Sequence, residues 1–201
     1  MTGPRVLVLA CGALAREVLA VVRSNGWEHV DVHCLPAKLH LVPAQIPAAV
    51  DAALHERGAG YDRVFVAYAD CGTVGALDDV LARHGAERLG GPHCYAVFAG
   101  ARSWDAMQAD EPGTFYLTDF LARHVDALVF RALGLDRHPE LTEDVFGHYT
   151  RVVYLAQTDD AGLDARARDA ARRLGLAYER RLVGLGELQP ALESVAEPLA
   201  A

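Results

Sequence analysis

Short apolar runs alternate with longer amphipathic stretches along the whole chain. The apolar runs predict buried strands, and the stretches with apolar residues three or four positions apart predict helices. The predicted strands are residues 6–10, 30–34, 63–67, 151–156 and 178–183, with a short extended piece over 112–116. The predicted helices are residues 14–24, one starting near 46, 70–84, 117–133, 160–174 and 186–195. This alternation predicts an α/β fold with a mainly parallel sheet, helices on both of its faces, and an origin in related βα units.

Prolines and glycines interrupt the pattern at two places. Residues 35–43 are bracketed by proline and predict a loop, and Gly90-Gly91-Pro92 predicts a turn inside the irregular stretch 88–96. Thr118 is placed to cap the helix that follows it. Since no stretch rich in Ser, Gly or Pro reads as a linker, we expect one domain over residues 1–201.

The composition and net charge of the chain disfavour some classes of binding partner. The chain has 201 residues, is 52% hydrophobic and carries a formal net charge of −8. An acidic protein without a basic block is not expected to bind nucleic acid or an anionic membrane. The first residues lack the features of a signal peptide, and no apolar run is long enough to span a bilayer. We therefore expect a cytoplasmic protein, with a homodimer as the default for its size.

Three of the four cysteines lie where a parallel sheet places its ligands. Cys11 follows the first buried strand, Cys71 follows the third by way of Asp70, and Cys94 lies beside His93 in a Gly-Gly-Pro-His-Cys-Tyr turn. The carboxyl ends of parallel strands meet at one edge of the sheet, so these thiols are expected to converge. Cytoplasmic thiols stay reduced, which favours ligands, nucleophiles or core residues over disulfides.

Glycine follows two of these cysteines, and each Cys-Gly pair is predicted to open a helix. A thiol near the positive end of a helix dipole is expected to favour the thiolate, which is the form that binds metals. Each cysteine taken alone is better explained as a small core residue, whereas Cys11, Cys71 and Cys94 together favour a shared site. Cys34 is assigned to the core, with a role as a fourth ligand as the alternative. Because the chain has no Cys-x-x-Cys pair, only the fold can assemble a site from these residues.

Several polar residues near the cysteines are candidates for proton transfer and binding. The proton-transfer and substrate-orienting candidates are His40, Lys38, Asp70 and His93. The candidates for cofactor contacts are Gly12, Gly72, Thr73 and Tyr95. Lys38 is the only lysine of the chain, and His40 shares its loop. Other histidines, including His55 and His84, are predicted to lie at helix ends or on the surface.

Several common signatures are missing from the sequence. There is no Gly-x-Gly-x-x-Gly run, no Walker-type phosphate loop, no Gly-x-Ser-x-Gly elbow and no His-Glu-x-x-His pair. Nicotinamide-dependent, nucleoside-triphosphate-dependent and serine-hydrolase functions are therefore disfavoured.

Six blocks in order along nearly the whole chain resemble the DUF1638 family. They include Leu-Pro-Ala-Lys-Leu-His at 35–40 and Asp-Cys-Gly-Thr at 70–73, together with residues 10–17, 91–95, 112–119 and 149–157. The resemblance implies a bacterial or archaeal cytoplasmic protein that accompanies corrinoid-dependent methyl-transfer systems. The function of the family is unknown, so the chemistry has to be inferred from the residues.

The leading hypothesis is a metal-dependent enzyme in which Cys11, Cys71 and Cys94 hold a [4Fe–4S] cluster. One iron would stay open as a Lewis acid toward a small-molecule substrate, in keeping with one-carbon or corrinoid metabolism. The second hypothesis is a zinc site of the same thiols, completed by His93 or His40 and either structural or thiol-activating. The third is a non-catalytic accessory protein that handles a metal or corrinoid for a methyltransferase partner.

Overall fold

The chain folds into two compact units, each built around its own parallel sheet. The computed structural model describes residues 4–110 and 113–197. Unit 1 comprises the residues up to Val97 together with those from Leu185 onward, and unit 2 comprises Phe98–Gly184. The α/β class and parallel pairing are confirmed, but the single sheet expected from the sequence is two smaller sheets. The expectation of one domain over 1–201 stays a prediction, since compact units also occur within single domains.

Unit 1 contains a four-stranded parallel sheet in the order β2-β1-β3-β4. Its strands are β1 (Val6–Cys11), β2 (Val30–Leu35), β3 (Arg63–Ala67) and β4 (Glu87–Arg88). Its helices are α1 (Ala15–Ser24), α2 (Ile46–Arg57) and α3 (Ala76–His84). The helix α4 (Cys94–Ala99) begins in the first segment of unit 1 and continues into unit 2, and α9 (Leu188–Ala196) belongs to the second segment of unit 1. Every residue of β1 is buried, as expected for a central strand with helices on both sides.

The order of the strands fixes where a crevice opens. The chain leaves β1 for β2 on one side and then crosses back to place β3 on the other side of β1. Right-handed crossovers in opposite directions put their helices on opposite faces of the sheet. In agreement, α1 packs against α9, while α2 packs against α3. The carboxyl ends of β1 and β3 therefore flank a topological switch point, where α/β sheets bind their ligands.

Unit 2 contains a three-stranded parallel sheet in the order β5-β6-β7. Its strands are β5 (Thr114–Leu117), β6 (Arg151–Ala156) and β7 (Ala177–Leu182). Its helices are α5 (Ala101–Asp110), α6 (Asp119–Val125), α7 (Thr142–Phe146) and α8 (Ala161–Leu174). Apolar residues of α6, α8 and β6 form its core, including Val125, Val152 and Leu163. None of the helices in the two described ranges is both long and apolar enough to cross a membrane.

A buried carboxylate joins the carboxyl ends of the neighbouring strands β5 and β6 in unit 2. Asp119, at the start of α6, is 1% exposed. It accepts hydrogen bonds from the Tyr154 hydroxyl (2.6 Å), the Gln157 backbone N–H (2.9 Å) and the Thr158 hydroxyl (2.5 Å). The Asp119 backbone N–H donates in turn to the Gln157 side chain at 2.7 Å. This network locks the carboxyl end of β6 to the beginning of α6.

Most predicted elements are confirmed, and the differences have local causes. The strand 63–67 and the strand 151–156 are found with their predicted limits. Thr118 caps α6 by accepting from the Leu121 N–H, but the helix predicted over 117–133 ends at Val125 and continues as a π-helical turn. The helix α5 was not predicted, and the extended piece predicted from Pro112 begins outside the described residues.

Candidate active site in unit 1

Cys11 and the segment after β3 meet at the switch-point crevice. Cys11 is the last residue of β1 and is buried. β3 ends at Ala67, and the chain continues through Tyr68, which is fully buried, to Cys71. Both cysteines therefore reach the carboxyl edge of the sheet from neighbouring strands, as the sequence pattern predicts.

Asp70 shapes the loop that carries Cys71. Its carboxylate accepts the backbone N–H groups of Gly72, Val74 and Gly75 at 3.2, 3.2 and 3.0 Å. The Thr73 hydroxyl adds a fourth hydrogen bond at 3.0 Å. These donors, with the Gly75 N–H first among them, hold the pKa of Asp70 below its ordinary value. Asp70 is thus a weak base whose oxygens are engaged, which favours a structural role for Asp70 and Thr73.

The loop does not open a helix at residue 70, as the sequence suggested. Cys71 (φ 51°), Gly72 (φ 83°), Val74 (φ 53°) and Gly75 (φ 85°) are all left-handed, and α3 begins only at Ala76. Left-handed backbone is unfavourable for cysteine and more so for β-branched valine. The hydrogen bonds to Asp70 compensate for this strain, which concentrates in the loop that presents the thiol.

Backbone hydrogen bonds bring Cys94 to the same place. The Leu89 N–H donates to Val66 of β3, and the following segment stays beside the chain that leaves β3. The Asp70 N–H donates to the Gly91 carbonyl at 3.1 Å, and the Cys71 N–H donates to the Pro92 carbonyl at 2.8 Å. Cys94 then begins α4, and its backbone N–H lies near enough to the Cys71 thiol to lower the pKa of that thiol. The Gly-Gly-Pro turn therefore sets the third cysteine against the second.

The three thiols are close enough to affect one another. Burial raises the pKa of Cys11 to about 12 and that of Cys71 to about 11, and it also raises the pKa of Cys94. Negative charge on Cys71 raises the pKa of both other thiols further. The expectation that helix N-termini favour thiolates here is wrong for the thiols by themselves. The helices α1 and α3 begin too far along the chain, and desolvation dominates.

His40 lies against Cys11. The loop predicted over 35–43 is folded into two short 3-10 turns, Ala37–Leu41 and Pro43–Gln45. From the first turn, the His40 ring places Nδ1 3.7 Å and Nε2 3.9 Å from the Cys11 sulfur. Nδ1 is also 3.2 Å from the Ala37 carbonyl, so a proton on Nδ1 makes Nε2, which lies 3.9 Å from the Cys11 sulfur, the acceptor nitrogen of the ring. Burial lowers the pKa of His40, which keeps the ring neutral at neutral pH.

Tyr68 is a site residue that the sequence analysis missed. Its ring stacks on His40 with centroids 5.9 Å apart and planes within 5°. Its hydroxyl is buried, has no partner of good hydrogen-bond geometry among the described residues, and lies near enough to Cys11 to stabilise a thiolate there. Its position directly after a buried strand was the available signal. A buried polar atom that lacks a partner commonly faces a ligand or an ordered water.

Gly12 allows the His40 segment to approach β1. The Gly12 N–H donates to the Leu35 carbonyl at 2.9 Å. A Cβ on Gly12 would lie 2.7 Å from that carbonyl oxygen and 2.9 Å from the Ala37 backbone nitrogen. Gly12 is therefore required because the backbone of Leu35 and Ala37 passes directly over it. The same segment continues to His40.

Gly12→Ala is expected to lower the stability of unit 1 by about 1–3 kcal/mol, because backbone must shift to admit the methyl group. Urea unfolding of the variant and the wild type measures the difference. Gly60→Ala is the matched control, since a Cβ on Gly60 meets nothing within 4 Å. Equal stability of the two variants would contradict the close approach.

The other residues considered in the sequence analysis are either exposed or held in packing contacts. Lys38 is exposed on the first 3-10 turn, and Cys34 is exposed at the end of β2, so the assignment of Cys34 to the core is wrong. The ring nitrogen Nδ1 of His93 accepts the Ala96 N–H at 3.4 Å, and the ring packs against Tyr95 at 5.3 Å. A Cβ on Gly72 would contact Pro43, so the Cys71 loop packs against the second 3-10 turn.

The spacing of the thiols bears on what they could hold. A tetrahedral zinc ion about 2.3 Å from each sulfur would bring the sulfurs to roughly 3.8 Å from one another. Within the described part of the chain, only Asp51, His55 and His84 form a group of three ligand atoms that all lie within 4.8 Å. At least one pair of the three sulfurs is therefore more than 4.8 Å apart, which is wider than a single tetrahedral zinc ion requires.

Comparison with known protein families shows to which family the chain belongs. The family described as a protein of unknown function (DUF1638) matches residues 34–192. The chain belongs to the DUF1638 family. No curated protein and no solved structure matches it. The DUF1638 match includes His40, Cys71 and Cys94 but begins beyond Cys11, so the grouping of Cys11 with the other thiols rests on the fold of unit 1.

Proposed function

We propose that this DUF1638 protein is an iron–sulfur enzyme that acts on a small molecule. Cys11, Cys71 and Cys94 would hold a [4Fe–4S] cluster with one iron left open. The observation that carries the proposal is the convergence of three thiols, that of Cys11 buried and those of Cys71 and Cys94 partly buried, from three separate segments at the switch point of the unit 1 sheet. Thiolates are the ligands that such clusters use, and a site with three of them leaves one position for substrate.

The surroundings of the thiols fit such a group. Burial disfavours free thiolates here, whereas coordination deprotonates a thiol outright and neutralises its charge. The Ala13 N–H lies 3.3 Å from the Cys11 sulfur, and hydrogen bonds of this kind tune the properties of bound clusters. The buried Tyr68 hydroxyl, close to Cys11, is a further donor that could serve a cluster-bound sulfur. When bound, the cluster would supply a Lewis-acidic iron toward an oxygen, nitrogen or sulfur atom of the substrate.

The residues around the thiols would accept the substrate proton and orient the substrate. His40 is neutral at neutral pH, and with its Nδ1 proton donated to Ala37 it can accept a substrate proton at Nε2. Lys38 is exposed on the same turn and would orient an anionic substrate as it enters. Asp70 would act indirectly, by holding the loop of Cys71 in its strained form. His93, which packs on Tyr95 beside Cys94, would contact the substrate.

An accessory role is the second candidate, and exposed apolar side chains favour it. Leu41, Val42 and Val74 are 67%, 46% and 91% exposed on the two loops that adjoin the thiols. A protein partner would cover such side chains, which fits the corrinoid or methyltransferase partner that the family resemblance implies. In that case the protein would carry a cluster, a zinc ion or a corrinoid to its partner without turnover of its own.

An electron paramagnetic resonance measurement separates these functions. Protein reconstituted without oxygen from ferrous iron and sulfide, then reduced, is expected to show a cluster signal that shifts when a hydroxycarboxylate is added. His40→Asn is expected to keep the iron and the signal, because His40 is not a proposed ligand. A signal that no small oxygen ligand shifts would contradict the open iron and favour the accessory role. Loss of iron in His40→Asn would make His40 a ligand instead.

A further inference from the structure

A second group of metal-ligating side chains lies in unit 1, away from the cysteines. Asp51 and His55 are one turn apart on α2, and His84 is the last residue of α3. One ligand atom from each lies within 4.8 Å of the other two. His84 Nε2 is 2.8 Å and His55 Nδ1 is 3.9 Å from Asp51 Oδ1. Helix packing between α2 and α3 is what brings these three residues together.

We propose that Asp51, His55 and His84 form a binding site for a divalent transition-metal ion of the zinc class. Two imidazoles and one carboxylate are a ligand set that Zn²⁺ and related ions use, and three protein ligands leave a coordination position open. Bonds of about 2.0–2.2 Å to such ligands put the donor atoms roughly 3.4 Å apart. The distance of 2.8 Å from Asp51 to His84 is a little shorter than this spacing, and the distance of 3.9 Å from Asp51 to His55 is a little longer.

The remaining ligand can adjust at little cost. The His55 side chain is 75% exposed, so it can rotate toward the other two without leaving a packed position. Its ring meets that of His84 edge to face, with centroids 4.9 Å apart. Two imidazoles that bind one ion side by side need such proximity without stacking. Arg83, 3.2 Å from Asp51, is also largely exposed and can turn away from the carboxylate.

A cavity lies beside these three side chains, and the open coordination position of the bound ion would face it. A cavity of about 550 Å³ is lined by His55 and His84 and by residues near the start of β3, including Arg63 and Val64. This is the amino edge of the sheet, whereas Cys11 lies at the carboxyl edge. The length of β3, about 13 Å, separates the two edges, so one ion cannot serve both groups. The proposed metal site of Asp51, His55 and His84 therefore does not depend on whether the cysteines hold a cluster.

Cobalt(II) is the probe, because its absorption distinguishes thiolate ligands from nitrogen and oxygen ligands. Co²⁺ bound by Asp51, His55 and His84 is expected to show visible d–d bands without thiolate-to-cobalt charge transfer, at one ion per chain. Asp51→Asn and His84→Asn are expected to weaken this binding more than about 100-fold, beyond what loss of an outer-shell partner costs. His55→Asn alters an exposed residue and keeps the test valid if the other variants fold poorly.

Two variants serve as controls. Cys71→Ser is expected to keep the d–d bands, which separates this site from the cysteines. His138→Asn removes an exposed histidine 3.2 Å from a carboxylate, that of Glu140, and is expected to change nothing. Cobalt bands that persist in Asp51→Asn, His55→Asn and His84→Asn would overturn the proposal. So would binding that shows thiolate charge transfer alone, or no binding of Co²⁺ at all.

Discussion

Cys71→Ser is expected to lower the iron content of the reconstituted protein by at least about tenfold. Serine keeps the size of the side chain but replaces a thiolate ligand with a hydroxyl, which iron in such clusters binds poorly. The fold should survive, because Cys71 lies in a loop beyond β3 and is only partly buried. Its anchoring bond to Pro92 uses the backbone N–H, which serine retains. Iron analysis and thermal unfolding of the same sample measure both effects.

Cys34→Ser is the matched control for that experiment. Cys34 is the fourth cysteine of the chain and is exposed at the end of β2, so its loss should leave the iron content at the wild-type value. Equal iron in Cys71→Ser and the wild type would contradict the shared site. Equal loss in both cysteine variants would show a general response to fewer thiols and would also contradict it.

Asp119→Ala is expected to destabilise unit 2 by about 3–5 kcal/mol, because it removes the acceptor of a buried hydrogen-bond network. The truncation leaves the buried Tyr154 hydroxyl and the buried Gln157 N–H without their acceptor, at about 1–3 kcal/mol each, and the exposed Thr158 also loses a hydrogen bond. Urea unfolding followed by tryptophan fluorescence is suitable, because Trp104 is buried in unit 2.

Asp160→Ala provides the comparison in the same unit. Asp160 caps α8 by accepting the Gly162 and Leu163 N–H groups, but it lies in an exposed position. Loss of an exposed cap costs about 1 kcal/mol. If Asp119→Ala were no more destabilising than Asp160→Ala, the network at Asp119 would not be the lock that its geometry indicates.

The strands and the meeting of the cysteines follow from simple rules. Apolar runs such as 6–10 and 151–156 are best buried as strands of a sheet that is covered on both faces. The predicted limits of these two strands agree with the structure to within one residue. Strand ends converge at the carboxyl edge of a parallel sheet, which is why Cys11 and Cys71 were expected to meet. The position of Cys94 depended on the Gly-Gly-Pro turn, whose direction only the backbone bonds to Asp70 and Cys71 reveal.

Other features depend on tertiary contacts that a local pattern does not encode. The loop after β3 is held left-handed by Asp70, whereas its sequence, Asp-Cys-Gly-Thr, equally suits a helix start. The pKa of each thiol follows from how deeply the fold buries it, so a rule based on helix dipoles predicted the wrong direction. His55 and His84 were assigned to helix ends, and only the packing of α2 on α3 places them beside Asp51.

The central claim is that Cys11, Cys71 and Cys94 hold an iron–sulfur cluster. The most direct test is the iron and sulfide content, with a visible spectrum, of protein purified and handled without oxygen. We predict a brown protein with about four iron and four sulfide per chain and a broad absorbance that air bleaches. A colourless protein that retains neither iron nor sulfide, even after reconstitution with both, would contradict the claim.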